Sequence, residues 1–348
     1  MTIGVAIIGS GLFVKLEHIP AVQAIPDLIS LKAVYSRSLK SAEKVTDGLE
    51  GVDLYSEDAG EGKGYGDVLA REDVQAVIIA LPILNQPAYI KKALEAGKHV
   101  LAEKPIAKDV RTAKELIGWY TSHVDTANAT WGVAENFRFL DSLLYASEQV
   151  RQLGRVLGFR VRVHNMTKSG GMWYETEWRK EPGYQGGFIL DGGVHDAAGA
   201  RLLLGSENAP THVSAFTTQL QPHLPPVDTL DAIWKLNSGV SGTFSLSFGT
   251  TFSGKEYAVA CEKGTVFVTK SKVVVNKDGN EETNEFPDEG AGVKQEVKAW
   301  AEGIKNGKQN PRQLPAQALQ DLILIESMLQ SGERSGETIT LLETSFSA

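Results

Sequence analysis

Two short segments carry residue types and spacings that could do chemistry. Asp191 and His195 stand one helical turn apart in Asp191-Gly192-Gly193-Val194-His195, a spacing that puts two side chains on one helix face. A carboxylate that fixes one imidazole nitrogen leaves the other to exchange a proton near neutral pH. The alternative is an N-cap aspartate that satisfies a structural histidine. The second segment, Gly97-Lys98-His99-Val100-Leu101-Ala102-Glu103-Lys104-Pro105, reads as a short buried strand ending in two opposite charges and a proline. Pro105 cannot donate to a ladder and biases Lys104 toward extended backbone, so the strand stops there. In an open parallel sheet that end faces the ligand crevice, which makes Lys104 a candidate ligand contact. The alternative is a surface lysine paired with Glu103.

A third stretch is unusual in composition. Trp173, Tyr174, Trp178 and Tyr184 precede Gly186-Gly187-Phe188 and lead into Asp191. Such a loop either tucks aromatics into the core or forms a wall for a sugar ring or another flat ligand. No third ligand at metal spacing accompanies Asp191 and His195, so no metal site is expected. Nor does a glycine-flanked serine suggest a Ser/His/Asp nucleophile.

The elements that must place these residues follow two patterns. Thr2 to Ile8 is an apolar, β-branched run, as a strand buried on both faces should be. It enters Gly9-Ser10-Gly11-Leu12-Phe13-Val14, a glycine turn whose backbone could approach a pyrophosphate at a helix N-terminus, although Val14 holds the place of the last fingerprint glycine. Pro20 should end or kink the helix that follows. The second strand, Ile29 to Tyr35, ends in Ser36-Arg37-Ser38 rather than an acid, chemistry that suits a ribose 2′-phosphate. Ser38 also reads as the N-cap of a helix with Leu39, Ala42, Val45 and Leu49 on its apolar face. Glu50 to Gly66 reads as a surface loop around a short strand, Val52 to Tyr55. Further strands are expected at Val74 to Leu81 and Thr126 to Val133, with helices over Pro87 to Ala96 and after an Asp109 cap. This alternation predicts a doubly wound parallel sheet.

After that the period changes. Asp141 to Leu153 is an amphipathic helix closed by Gly154. Leu157, Phe159, Val161 and Val163 then alternate with polar residues, as do Phe244, Leu246 and Phe248, the mark of strands with one apolar face. Asn237-Ser238-Gly239, Glu262-Lys263-Gly264 and Lys277-Asp278-Gly279-Asn280 supply turns. Late helices at Val293 to Ile304 and Ala316 to Leu329 complete an α+β pattern, a largely antiparallel sheet covered by helices on one face.

At 348 residues two domains are expected, and the change of period places them at 1–127 and 128–348. The net charge of -8, without basic runs, argues against nucleic acid as the main partner. Cys261 is the only cysteine, so no intrachain disulfide can form. No stretch approaches membrane length, and a soluble cytoplasmic protein is expected.

These pieces together resemble the Gfo/Idh/MocA family of NAD(P)-dependent oxidoreductases. The marks are Gly9-Ser10-Gly11, Ala80-Leu81-Pro82, the Glu103-Lys104-Pro105 strand end, Glu135-Asn136-Phe137-Arg138 and Asp191-x-Gly-x-His195. The resemblance covers nearly the whole chain. It implies an N-terminal Rossmann domain plus an open-sheet domain that often pairs through that sheet into dimers or tetramers. It puts Lys104, Asp191 and His195 on catalytic positions and Trp178-Arg179 against the cofactor. Gln86 stands where many relatives have a histidine. The cofactor-binding set is then Gly9, Ser10, Gly11, Leu12, Phe13, Ser36, Arg37, Leu81, Pro82, Gln86, Glu103, Lys104, Asn136, Trp178 and Arg179. The substrate set is Lys104, Trp173, Tyr174, Tyr184, Asp191 and His195.

The resulting expectation is hydride transfer between NADP(H) and a secondary alcohol or ketone of a sugar, polyol or cyclic diol. NADP(H) is expected to be preferred over NAD(H), and the protein is expected to be a homodimer. The competing expectation is a regulator that binds NAD(P) and a protein partner without turnover, which fold alone does not exclude.

Overall fold

The computed structural model describes residues 2–341. They form two units, one of residues 2–136 with 291–319 and the other of residues 137–290 with 320–341. The division expected at 127/128 therefore differs in two ways. The first unit runs on to Asn136, and it takes back the late helix Val293–Lys305.

The first unit holds six parallel strands: β1 (Ile3–Ile8), β2 (Ile29–Ser36), β3 (Asp53–Ser56), β4 (Ala76–Ile79), β5 (His99–Glu103) and β6 (Trp131–Ala134). Their order is β3-β2-β1-β4-β5-β6, the doubly wound arrangement. Val5, Ala6, Ile7 and Ile8 are all wholly buried, which is why β1 reads as an unbroken apolar run rather than an alternating one. One face of this sheet buries Val5, Ile7, Ile78 and Leu101 with Val14, Ile19 and Val22 of the first helix. Val293, Val297 and Trp300 join the same core. The apolar stripe of helix Val293–Lys305 predicts that it packs, but does not say on which sheet.

Pro20 does not end the first helix. The chain widens into a π-type turn over Val14–His18 and returns to α geometry over Ile19–Gln23, with Pro20 in its first turn. The wider turn makes room for the proline ring, which would clash with the preceding carbonyl of a regular α-helix. The Glu50–Gly66 segment contains β3 and the start of a short helix, Tyr65–Leu69. Tyr65 is buried, so the segment's end is core rather than surface loop.

The second unit is built on nine strands: β7 (Val156–Met166), β8 (Pro210–Thr218), β9 (Thr229–Leu236), β10 (Ser241–Ser247), β11 (Gly249–Cys261), β12 (Gly264–Thr269), β13 (Lys272–Lys277), β14 (Asn280–Glu285) and β15 (Ile339–Thr340). Their order is β14-β13-β12-β11-β7-β10-β9-β8-β15. All neighbours are antiparallel except β7 and β10. One face buries Phe159, Val161, Phe244, Leu246 and Trp234. The opposite positions leave Leu157, Ile233 and Phe252 exposed. Leu157 departs from its expected inward position because the β7–β11 register shifts between Ala260 and Cys261. The bulge turns Val156 inward and Leu157 outward.

Candidate active site

In the first unit the candidate residues gather at the carboxyl ends of parallel strands. Gly9 closes β1 with φ +132°, and a Cβ there would lie 2.2 Å from the Ala80 carbonyl oxygen. The Gly9 N–H donates to Tyr35 O at 2.8 Å, and Ala80 N–H donates to Ile8 O at the same distance. Only glycine fits this turn, wedged between the ends of β2 and β4. A Cβ on Gly11 would meet nothing within 4 Å, so the backbone there is open to a ligand. Val14, in the place of the last fingerprint glycine, is buried in the core, and the helix widens from that residue onward.

Glu103 closes β5, and Lys104 follows it. Glu103 Oε1 lies 2.8 Å from Nε2 of the fully buried His18, whose ring meets Phe13 edge-on at 5.3 Å. Glu103 is thus tied to the glycine-turn helix. Sequence alone does not point to His18: 85 residues separate the partners, and no local pattern marks the pair.

At the ends of β2 and β3, Ser36 Oγ and Ser10 Oγ are 2.6 Å apart and Arg37 is exposed. The end of β2 itself carries no acid, as expected, but the neighbouring strand brings one beside it. Glu57 follows β3, and its N–H donates to Ser36 O at 3.3 Å. Its Oε1 accepts from the hydroxyls of Tyr35 (3.0 Å) and Tyr89 (3.1 Å). Burial first, then Tyr89 and Glu57, push the Tyr35 hydroxyl well above its ordinary range. The next helix is capped by Ser38, as expected, and also by Asp58, whose Oδ1 accepts from Leu39 N–H at 2.7 Å. Parallel pairing of β2 with β3 delivers both acids, which the end of β2 alone does not reveal.

Gln86 opens the helix Gln86–Glu95, which follows the half-buried Leu81 and Pro82. It is 1% exposed, and neither atom of its amide has a hydrogen-bond partner among the described residues. Leaving both ends of a buried amide unmet is costly, so the position asks for a polar ligand. Asn136 is buried and donates from Nδ2 to Ala291 O at 2.6 Å.

In the second unit the candidates lie off the sheet. Asp191 ends a short helix, Phe188–Asp191, and His195 lies in the next, Gly193–Leu204. Asp191 is therefore not an N-cap. The link between the helices is tight because it rests on the sheet side chains. A Cβ on Gly192 would lie 2.8 Å from Phe248 Cζ, and one on Gly193 2.5 Å from Leu246 Cδ1. Arg179 Nε donates to Asp191 Oδ2 at 2.7 Å, and its guanidinium lies 4.2 Å over the Trp178 ring. His195 stacks on Phe137, with centroids 4.5 Å apart and planes at 19°.

The aromatic stretch divides. Tyr174 is buried, stacked on Phe188 and edge-on to His223, whereas Trp173 is exposed. Tyr184 is buried against Trp178. Burial and the nearby Asp191 carboxylate hold its hydroxyl well above the usual range, which leaves Tyr184 a donor at neutral pH.

The glycine turn, the open backbone at Gly11 and the orphaned Gln86 amide fit a dinucleotide. Comparison with known proteins agrees. A model of an oxidoreductase family with an NAD-binding Rossmann fold, GFO/IDH/MocA, matches residues 3–126, and that family's C-terminal domain matches residues 148–267. Dehydrogenase FPY6 of Fusarium mangiferae is 39% identical over 96% of this chain and 97% of its own. D-xylose 1-dehydrogenase (NADP(+)) 2 of Haloferax volcanii is 27% identical, covering 93% of this chain and 95% of its own. An oxidoreductase structure from Thermotoga maritima superposes with a TM-score of 0.87 at 28% identity, over 98% of this chain and 99% of that one.

Proposed function

The chain belongs to the GFO/IDH/MocA family of NAD(P)-dependent oxidoreductases, and we propose that it interconverts a secondary alcohol and a ketone on a sugar, polyol or cyclic diol, with NADP(H) preferred. The observation that carries the reading is His195. It is half-exposed, held flat against Phe137, and lies one turn from a buried carboxylate already neutralised by Arg179. A bound nicotinamide supplies or accepts the hydride. His195 takes the hydroxyl proton in oxidation and returns it in reduction. Arg179 holds the Asp191 carboxylate in place one turn before His195. Lys104 donates to the reacting oxygen and stabilises its developing negative charge.

Gly9, Ser10 and Gly11 would hold the pyrophosphate, with Leu12 and Phe13 beginning the helix that follows. The Gln86 amide would hold the cofactor's carboxamide, and Arg37 with Ser36 would hold the 2′-phosphate. Glu57 favours a second reading, NAD(H), because a carboxylate beside the same strand end suits free ribose hydroxyls. Its engagement by two tyrosine hydroxyls supports keeping Arg37 as the reader. Exposed Trp173 and the sugar named in the Haloferax relative support the substrate class.

No helix among the described residues is long and apolar enough to cross a membrane. The lone Cys261 is buried, and burial pushes its thiol up to about 11. Exposed Ile233 and Phe252 on the open sheet suit a homodimer. A panel of aldoses, polyols and cyclic diols with NADP+ and NAD+, followed at the reduced-nicotinamide absorbance, tests the activity. Reduction of NADP+ by at least one of them is expected; a flat trace across the panel would overturn the substrate class.

A further inference from the structure

The stacked pair of His195 and Phe137 is one link in a closed loop of contacts within the second unit. Lys255 on β11 places its ammonium 3.9 Å from the centroid of the Phe137 ring. The same ammonium lies 2.8 Å from Asp196 Oδ1. Asp196 is buried, accepts a 2.5 Å hydrogen bond from the Tyr257 hydroxyl, and is the residue after His195 on the same helix. The contacts therefore run from His195 to Phe137, to Lys255, to Asp196, and back to His195 along the chain.

We propose that Phe137 and Lys255 are positioning residues for His195: Lys255 holds the Phe137 ring, and that ring sets the plane of the imidazole. The proposal rests on the reading of His195 as the proton-exchanging group. The physical need is specific. A nitrogen lone pair of imidazole lies in the ring plane, so proton exchange depends on where that plane points. Rotation about χ2 of histidine is a broad, soft torsion that no rotamer preference fixes. A near-parallel aromatic ring at stacking distance fixes it by contact.

Phe137 has the same soft torsion and needs its own anchor. A cation over its ring supplies one. Lysine is in turn a long, mobile side chain, and here the Asp196 carboxylate clamps it. Because Asp196 also accepts from Tyr257, the clamp is tied to β11 twice, through residues two positions apart on one side of the strand. The charge of Lys255 is matched by that of Asp196, so the loop gives His195 geometry rather than a net field.

The test uses the full-length protein and four substitutions. The His195 Cε1–H resonance is assigned by its loss in His195→Ala. In the parent, the current of the Phe137 ring should shift it upfield. Phe137→Leu keeps bulk without the flat ring and should move it downfield. Lys255→Met should move it the same way, and Lys255→Arg should return it to the parental position. Lys255 is partly solvent-exposed, so its variants keep the test open should Phe137→Leu fail to fold.

With the substrate turned over in the panel above, Phe137→Leu and Lys255→Met should lower kcat roughly ten-fold with KM nearly unchanged, within the ~10²-fold that a 1 Å misplacement can cost. In a His195→Ala background, Phe137→Leu should lower kcat no further. An unmoved resonance in both variants, or an equal loss in the parent and His195→Ala backgrounds, would overturn the proposal. Parental turnover by His195→Ala, with the resonance still responding to Phe137, would overturn the proton-exchange reading while leaving the stack in place.

Discussion

The two sheets place their candidate residues by different means. In the six-stranded sheet, Gly9 and Lys104 stand at or just beyond strand ends, and a ladder buried on both faces sets their positions. In the nine-stranded sheet the candidates are not on strands at all. Asp191 and His195 sit on short helices laid over one face, each held by a side-chain tie, Arg179 for Asp191 and Phe137 for His195. Backbone pairing tolerates the loss of any one side chain better than ties between side chains do. The candidate cofactor residues should therefore be robust to substitution around them, and the residues proposed for proton exchange sensitive.

The largest expected effect separates the sheets themselves. Ile78 is wholly buried in the centre of the parallel sheet, whereas Ile233 is 56% exposed on the open face of the other. Ile78→Ala should cost ~2–5 kcal/mol of stability, and Ile233→Ala no more than about 0.5 kcal/mol at dilutions where the proposed dimer comes apart. Urea unfolding of the two variants makes the comparison. A cost for Ile233→Ala close to that of Ile78→Ala would mean that a second copy covers the open face.

A smaller effect tests how the first unit reads its cofactor. Charge-assisted hydrogen bonds contribute roughly 1.5–3 kcal/mol, or about 10- to 150-fold in affinity. Arg37→Ala should weaken NADP(H) by that factor and leave NAD(H) much less affected, with fluorescence titration of both cofactors as the check. Glu57→Gln should change the balance in the opposite sense by removing a negative charge near the phosphate. Equal losses for both cofactors in Arg37→Ala would transfer the reading of the ribose to Glu57.

The smallest effect concerns His99, at the start of the strand that ends before Lys104. Burial holds its imidazole below the ordinary value, and Thr130 N–H donates to its Nδ1 at 3.2 Å. The unfolded chain thus binds a proton that the folded chain refuses, between the lowered value and about 6.5. Stability is lost as pH falls through that window and regained above it. His99→Gln should flatten the dependence of Tm on pH there; an unchanged slope would show that other groups carry it.

Much of this architecture is legible because burial leaves a mark on sequence. The apolar runs of β1, β4 and β5 announce two-sided burial, and the alternation in β10 announces one-sided burial. Ser38 and Asp109 cap the helices expected of them, each side chain accepting from a backbone N–H three residues on. What escapes is pairing at a distance. An amphipathic stripe cannot say that helix Val293–Lys305 belongs with strands nearly 300 residues earlier. A bulge that turns Leu157 outward depends on β11, about a hundred residues on. His18 and Glu57 look like ordinary surface or helix residues until β5 and β2 bring partners to them. The spacing of Asp191 and His195 is legible, but the Arg179 and Phe137 that hold them are fixed only by the fold.

The central claim is that His195 moves the proton while the nicotinamide moves the hydride. It is tested most directly by His195→Ala, measured as kcat alongside the dissociation constant for NADP(H). The account predicts a fall in kcat of ~10²–10⁴-fold, with cofactor affinity nearly unchanged. Turnover close to the parent's, with the cofactor bound as before, would contradict it and reduce the Asp191–His195 pair to a structural element of its helix.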